Sequence, residues 1–178
     1  MEYVILVDEA DKQVGLGEKV ASHMGAGVLH RAFSVFIFNT KGEFLLQKRS
    51  AGKMLWPLFW TNTCCSHPRE GEDYQAAGQR RLQEEMGFTC ELSPVGSFIY
   101  HASYEDVGSE NELCSVLTGT YDGAVVPDPD EAAEYSWVDF NELKKDVAAH
   151  PEKYTPWFKL ELTQFFADAK DGADEEPV

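Results

Sequence analysis

The chain has 178 residues, 43% of them hydrophobic and 12% aromatic, which suits one domain with a sizeable core and is short for two. Its formal net charge of -16 argues against a nucleic-acid partner, because phosphate backbones are captured by basic stripes, and no apolar run approaches the ~20 residues of a membrane span. The start, Met1 to Asp8, lacks the basic region and cleavage site of a leader, and Cys64, Cys65, Cys90 and Cys114 form neither a secreted disulfide framework nor a Cys-x-x-Cys pair, so a cytoplasmic protein with reduced thiols is expected, with a monomer as the default.

In chain order, Phe33 to Phe38 and Glu43 to Arg49 read as strands. Asn39-Thr-Lys-Gly42 between them carries turn chemistry, so a β-hairpin is expected. From Asp73 to Met86 good helix formers run unbroken, with Gly71 closing the loop before and Gly87 placed to end the helix. Arg81, Glu84 and Glu85 then share a face by i, i+3, i+4 spacing. Strand-like segments follow at about 95–104, 112–121 and 134–138, interrupted by Pro127-Asp-Pro-Asp-Glu131, which can only be loop. Asp139-x-x-Glu142 is a capping-box variant that opens a helix to about His150. Thr155-Pro156 opens another, with Thr155 as N-cap and Trp157, Leu160, Leu162, Phe165 and Phe166 on its apolar side. The acidic tail, 171–178, reads as disordered. Residues 1–170 are thus expected to form a single α/β or α+β domain, a mixed sheet sandwiched by helices.

Chemistry-bearing residues concentrate in two short extended stretches. Glu110 and Glu112 would share a strand face roughly 6.5 to 7 Å apart at Cα, and like charges that close need a cation, a proton or open water between them. Cys65 and His67 also share a face, while Cys64 points the other way. A thiol, an imidazole and two carboxylates in such stretches point to a catalytic centre built around a metal. Although the chain is acidic, Lys19, Arg31, Lys41, Lys48, Arg49, Lys53, Arg69, Arg80 and Arg81 all fall in its first half. A local cationic pocket for a small phosphate ester is compatible with that envelope, since charges beyond a Debye length of ~10 Å are largely screened.

Ser66 to Phe88 resembles a degenerate Nudix box, a loop and helix that hold a metal-bound diphosphate. Glu72, Arg80, Leu82, Glu84, Glu85, Gly87 and Phe88 fall on its pattern. Ser66 stands where the first Gly belongs, and Arg81 where a metal-binding Glu belongs. A hydrolytic Nudix site loads divalent ions on clustered carboxylates to activate water, so a guanidinium in that cluster implies binding of diphosphate with poor hydrolysis. From Glu18 to Phe166 the chain resembles the type I isopentenyl-diphosphate isomerases. The residues that carry this are Lys19 and His23, His30, Arg49 and Lys53, Trp60-Thr-Asn-Thr-Cys-Cys-Ser-His-Pro68, Glu110-Asn-Glu112 and Thr155-Pro-Trp157.

That resemblance implies interconversion of isopentenyl and dimethylallyl diphosphate. Moving an unactivated double bond puts a proton on one carbon and removes another two bonds away, through a tertiary carbocation. Such a site needs an acid and a base flanking the alkene and must exclude water. The resemblance makes Cys65 and Glu112 this pair, has Tyr100 hydrogen-bond the catalytic carboxylate, and sets Trp157 against the cation. It also implies Mn2+ or Zn2+ on His23, His30, His67, Glu110 and Glu112, a mixed N/O set. Mg2+ would be held by Glu85 and the backbone carbonyl at Cys65, and the substrate diphosphate by Lys19, Arg49, Lys53 and Arg81. Cys64, Cys90, Cys114, His101 and His150 read as packing or surface residues, Glu84 as a solvated helix residue, and Trp56 and Trp60 as core and pocket wall. Two rival readings are a Nudix-type diphosphate hydrolase indifferent to Cys65, and a binding domain in which the metal is purely structural.

Overall fold

The computed structural model describes residues 2–167, and the acidic segment 171–178 lies outside them. The chain opens with an antiparallel pair, β1 (Tyr3–Val7) and β2 (Gln13–Glu18), followed by a short helix, α1 (Lys19–His23). Sequence patterning assigned nothing to this stretch. Its turn is closed by Asp8, whose Oδ1 accepts from the amides of Ala10 and Lys12, each at 3.0 Å.

The next strands are β3 (His30–Phe38), β4 (Glu43–Arg49), β5 (Trp60–Thr61) and β6 (Cys64–Ser66). The expected β3–β4 hairpin exists only at its turn. Asn39 Oδ1 accepts from the amides of Lys41 and Glu43, but the two strands pair at Phe38↔Phe44 alone and then part. The reason is burial: both strands are apolar enough to be flanked on either side. Strand β3 runs parallel to β8 (Gly108–Thr120) from His30 to Phe38 and antiparallel to β6, while β4 pairs with β9 (Ala132–Asp139). Strand β7 (Leu92–Tyr104) lies antiparallel to β8, so the sheet is mixed.

Helices cover both faces, in keeping with the expected fold class. On one, Phe33, Val35, Ile37, Cys64 and Leu117 pack under Ala77, Leu82 and Met86 of α2 (Tyr74–Met86). On the other, Ala32, Phe36, Phe98, Cys114 and Val116 meet Leu143 and Val147 of α3 (Phe140–Ala149), and Trp157, Phe158 and Leu162 of α4 (Pro156–Phe165). Asp73 caps α2 by accepting from the Ala76 amide, and Gly87 ends it in the left-handed region at φ 77°. Asp139 caps α3 through the amides of Asn141 and Glu142, but Glu142 pairs with Lys145 and leaves the capping box half made. Thr155 precedes α4 without capping it, because its hydroxyl is turned to Thr61 Oγ1 at 2.9 Å in the core.

Candidate active site

The register of four neighbouring strands assembles the site. Ser34 of β3 faces Cys65 of β6, His30 faces Glu112 of β8, and Glu112 faces Tyr100 of β7. Paired residues share a face, and so do residues two apart on one strand. Cys65, His30, Glu110, Glu112 and Tyr100 therefore point to the same side, with Cys64 on the other. His67 follows β6 closely enough to bring Nε2 to 3.0 Å from Glu112 Oε1, and α1 adds Lys19 and His23.

These residues surround a cavity of about 240 Å³ lined by Lys19, Val20, His23, Arg49, Lys53, Met54, Leu55, Cys65, His67, Arg81, Tyr100, Glu110, Glu112 and Trp157, among others. The thiol, the carboxylates, the tryptophan and all four cations expected for diphosphate thus open onto one space. His30 and Glu85, 0% and 2% exposed, stand behind its wall.

His23, His30, His67, Glu110 and Glu112 each offer a ligand atom, and these atoms lie within 4.8 Å of one another. Opposite ligands around a cation with ~2.1 Å bonds stand about 4.2 Å apart, so the cluster has the size of a coordination shell. Its hydrogen bonds fit a metal too. The Nδ1 atoms of His23 and His30 lie 2.6 and 2.7 Å from the carbonyls of Lys19 and Val28, which makes them the protonated nitrogens and leaves each Nε2 with a lone pair. His23 Nε2 faces Glu110 Oε2 at 3.0 Å; burial works to lower the His23 pKa, but the Glu110 hydrogen bond and charge outweigh it and raise it, so this pair is joined by a proton or by a metal ion in its place. His30 Nε2, His67 Nδ1 and Glu110 Oε2 are buried with no hydrogen-bond partner. Burial, aided by the neighbouring imidazoles, pushes the His67 pKa well down and keeps it a neutral ligand. As metal ligands, three imidazoles and two carboxylates would together balance the charge of one divalent ion.

Cys65 and Glu112 answer to burial differently. Burial pushes the Cys65 thiol up to about 12, against the pull of Arg49, so it holds its proton at neutral pH. Burial also works to raise Glu112, but His30, the Tyr100 hydroxyl and His23 outweigh it and leave its pKa below the ordinary carboxylate value. Tyr100 donates to Glu112 Oε2 at 2.5 Å. Trp157 is fixed by a hydrogen bond from Nε1 to Asn62 Oδ1, 3.2 Å, and by the Arg49 guanidinium 5.3 Å from its ring centre.

At the cationic end every expected diphosphate ligand has a protein partner. Lys19 pairs with Glu2 at 2.7 Å. Arg81 reaches Glu84, Glu85 and Glu131 at 2.8, 2.6 and 3.0 Å, and Lys53 also pairs with Glu131. Glu84 is an exposed residue of α2, as expected, and its carboxylate accepts from Arg80 and Arg81 at the surface. Arg49 departs most from the expectation. Its Nε and Nη2 donate to the carbonyls of Trp56 and Leu55 at 3.0 and 2.9 Å, which leaves mainly Nη1, 3.9 Å from Cys65 Sγ, to face the cavity. Sequence reasoning assigned no role to Asn62 or Glu131: Asn62 was marked only as part of the Trp60–Pro68 motif, and Glu131 only as part of the acidic Pro-Asp loop. Trp60 lies under Lys48 and packs at the core margin, not on the cavity wall.

The NUDIX domain family matches residues 28–158. Isopentenyl-diphosphate Delta-isomerase 2 of Aromatoleum aromaticum is 46% identical over 156 residues, 88% of this chain and 82% of that protein. Isopentenyl-diphosphate Delta-isomerase of Serratia proteamaculans is 46% identical over 157 residues, 88% and 87% of the two chains. Among solved structures, DR0079 from Deinococcus radiodurans superposes with a TM-score of 0.75 at 20% identity, over 93% of this chain and 100% of that one. The MutT protein from Methanosarcina mazei Go1 gives 0.64 at 23%, over 78% and 93%. At those identities the structural likeness speaks for the fold alone.

Proposed function

The chain belongs to the isopentenyl-diphosphate Delta-isomerases of the Nudix superfamily and interconverts isopentenyl and dimethylallyl diphosphate, a step of isoprenoid biosynthesis, and on that premise we propose that Cys65 and Glu112 are its proton-transfer pair. The observation that carries this is the shared cavity: a protonated thiol, an ionised carboxylate, an aromatic wall and a cationic end open onto one space of about 240 Å³.

The pair starts with one proton between two groups. One group delivers a proton to the terminal alkene carbon, the other takes one from the carbon two bonds away, and their roles exchange in the reverse direction. Tyr100 holds the Glu112 carboxylate in place through its 2.5 Å hydrogen bond. Trp157 presents π-density that attracts the tertiary cation and offers no lone pair to trap it. Lys19, Arg49, Lys53 and Arg81 anchor the diphosphate and fix the alkene relative to the pair. Mn2+ or Zn2+ bound to His23, His30, His67, Glu110 and Glu112, with Mg2+ bound to Glu85, the Cys65 carbonyl and the diphosphate, would supply positive charge that lowers carboxylate pKa and neutralises phosphate. The protein acts on a small isoprenyl diphosphate as a cytoplasmic monomer, without nucleic acid or membrane. Among the described residues no helix is long and apolar enough to cross a bilayer.

Diphosphate hydrolysis is the weaker reading. Arg81 draws Glu84, Glu85 and Glu131 onto itself, which supports diphosphate anchoring and leaves fewer carboxylates to load the ions that a hydrolytic site requires. Cys65→Ala and Glu112→Gln test the assignment. Each is expected to lose isomerisation by about 10²–10⁴-fold or more while keeping its circular dichroism and its melting transition. Turnover near the parent rate in either folded variant contradicts it.

A further inference from the structure

Trp56 is 5% exposed yet holds φ 47°, a left-handed backbone that bulky side chains adopt rarely and at a cost in strain. Two groups account for holding it there. Its carbonyl accepts from Arg49 Nε at 3.0 Å, beside the Leu55 carbonyl that accepts from Arg49 Nη2. Its indole stands at right angles to Trp157, with ring centres 5.3 Å apart, and rests on Tyr104 at 5.0 Å. The loop that carries it is pinned to the Arg49 backbone, since the Arg49 amide donates to the Phe59 carbonyl and the Leu58 amide to the Arg49 carbonyl. The orientation of the Arg49 guanidinium, with Nη1 turned to Cys65, and the placement of the Trp157 ring therefore meet at one residue outside the cavity lining.

We propose that Trp56 is a positioning residue for the isomerisation: its strained backbone fastens Arg49 beside Cys65, and its ring holds the Trp157 wall that keeps water from the cationic carbon. This rests on the roles assigned above to Cys65, Glu112 and Trp157. A loosened wall has a chemical signature. Water forms a C–O bond at the tertiary carbon and releases its spare proton to solvent, which gives a tertiary alcohol diphosphate with no change of oxidation state. A residue with a purely structural role lowers the folded fraction without making this product.

Trp56→Phe shortens the ring that meets Trp157, and Trp56→Gly removes it while keeping both the left-handed backbone and the carbonyl that binds Arg49. Both are assayed in the full chain with isopentenyl diphosphate, with products resolved by proton and phosphorus NMR. The expected result is a kcat about tenfold lower with KM within about twofold, together with tertiary alcohol absent from the parent. If Trp56→Phe does not fold, Trp56→Gly, relieved of backbone strain, gives the same readout. A folded variant with parent kcat and no alcohol, or one whose loss simply follows its folded fraction, overturns the proposal. Cys65→Ala is run beside them. Activity there sinks the proton-transfer assignment, whereas an inactive Cys65→Ala with an unperturbed Trp56→Phe sinks the role of Trp56 alone.

Discussion

Burial holds a proton on the Cys65 thiol, while hydrogen bonds and neighbouring imidazoles keep one off Glu112. That contrast makes a prediction. With a folded pKa of about 12 against an ordinary 9.0, the thiolate fraction at neutral pH is very small. In metal-stripped protein the rate of Cys65 alkylation by iodoacetamide should therefore climb with pH to beyond 10 without levelling, and a plateau near pH 7 would contradict the burial argument. The linkage has a definite sign. A raised folded pKa contributes stability that is present below pH 9.0 and is lost as the pH rises toward about 12. The pairing of Cys65 with His67 and of Glu110 with Glu112 was legible from strand alternation, whereas Lys19, His23, His30, Arg49, Lys53, Tyr100 and Trp157 were expected in the site only through the resemblance to the isomerases. The roles of Asn62, Glu131 and Trp56 were not legible, since their partners lie elsewhere in the chain: Asn62 meets Trp157, Glu131 meets Lys53 and Arg81, and Trp56 meets Arg49 and Trp157.

The elements that place these residues divide in the same way. Helix α2 was legible at both ends, because Asp73 and Gly87 act within one turn of where they sit. The Asn39–Gly42 turn was legible too, but the partners of β3 and β4 depend on β8 and β9, more than sixty residues later in the chain, and no local signal encodes them. The Gly87 terminus can be tested against a control. Gly71 and Gly87 both have φ near 80°, at 78° and 77°, but a Cβ at Gly71 meets nothing within 4 Å, whereas one at Gly87 meets the Val126 carbonyl oxygen at 2.6 Å. Gly71→Ala should cost only the left-handed strain, about 1–2 kcal/mol in urea unfolding. Gly87→Ala should cost more than that, because backbone must also move. Equal losses would show that the contact between the α2 terminus and the 122–131 loop is not tight.

Over the whole molecule, a mixed sheet is covered by helices on both faces, and α1, the start of β3, the residue just past β6 and β8 gather three imidazoles and two carboxylates in one place. The charge needed to balance that cluster should couple metal to stability. Manganese or zinc added to metal-stripped protein should bind once per chain and raise the melting temperature, by about 2.7 kcal/mol of stabilisation at a concentration 100 times the Kd. His23→Ala and Glu110→Gln should weaken that shift, and no uptake by the parent protein would remove the metal centre. The fold itself remains compatible with hydrolysis as well as isomerisation, because the likeness to solved structures reaches only the architecture. Identity to the curated isomerases and the residues in the cavity decide between them.

The most direct test of the account is isopentenyl diphosphate in deuterated water with Mg2+ and the metal-loaded protein, followed by proton and phosphorus NMR. Two-way proton transfer predicts dimethylallyl diphosphate with solvent deuterium in its new methyl group and an intact diphosphate. Isopentenyl monophosphate with released phosphate, and no deuterated alkene, would contradict it.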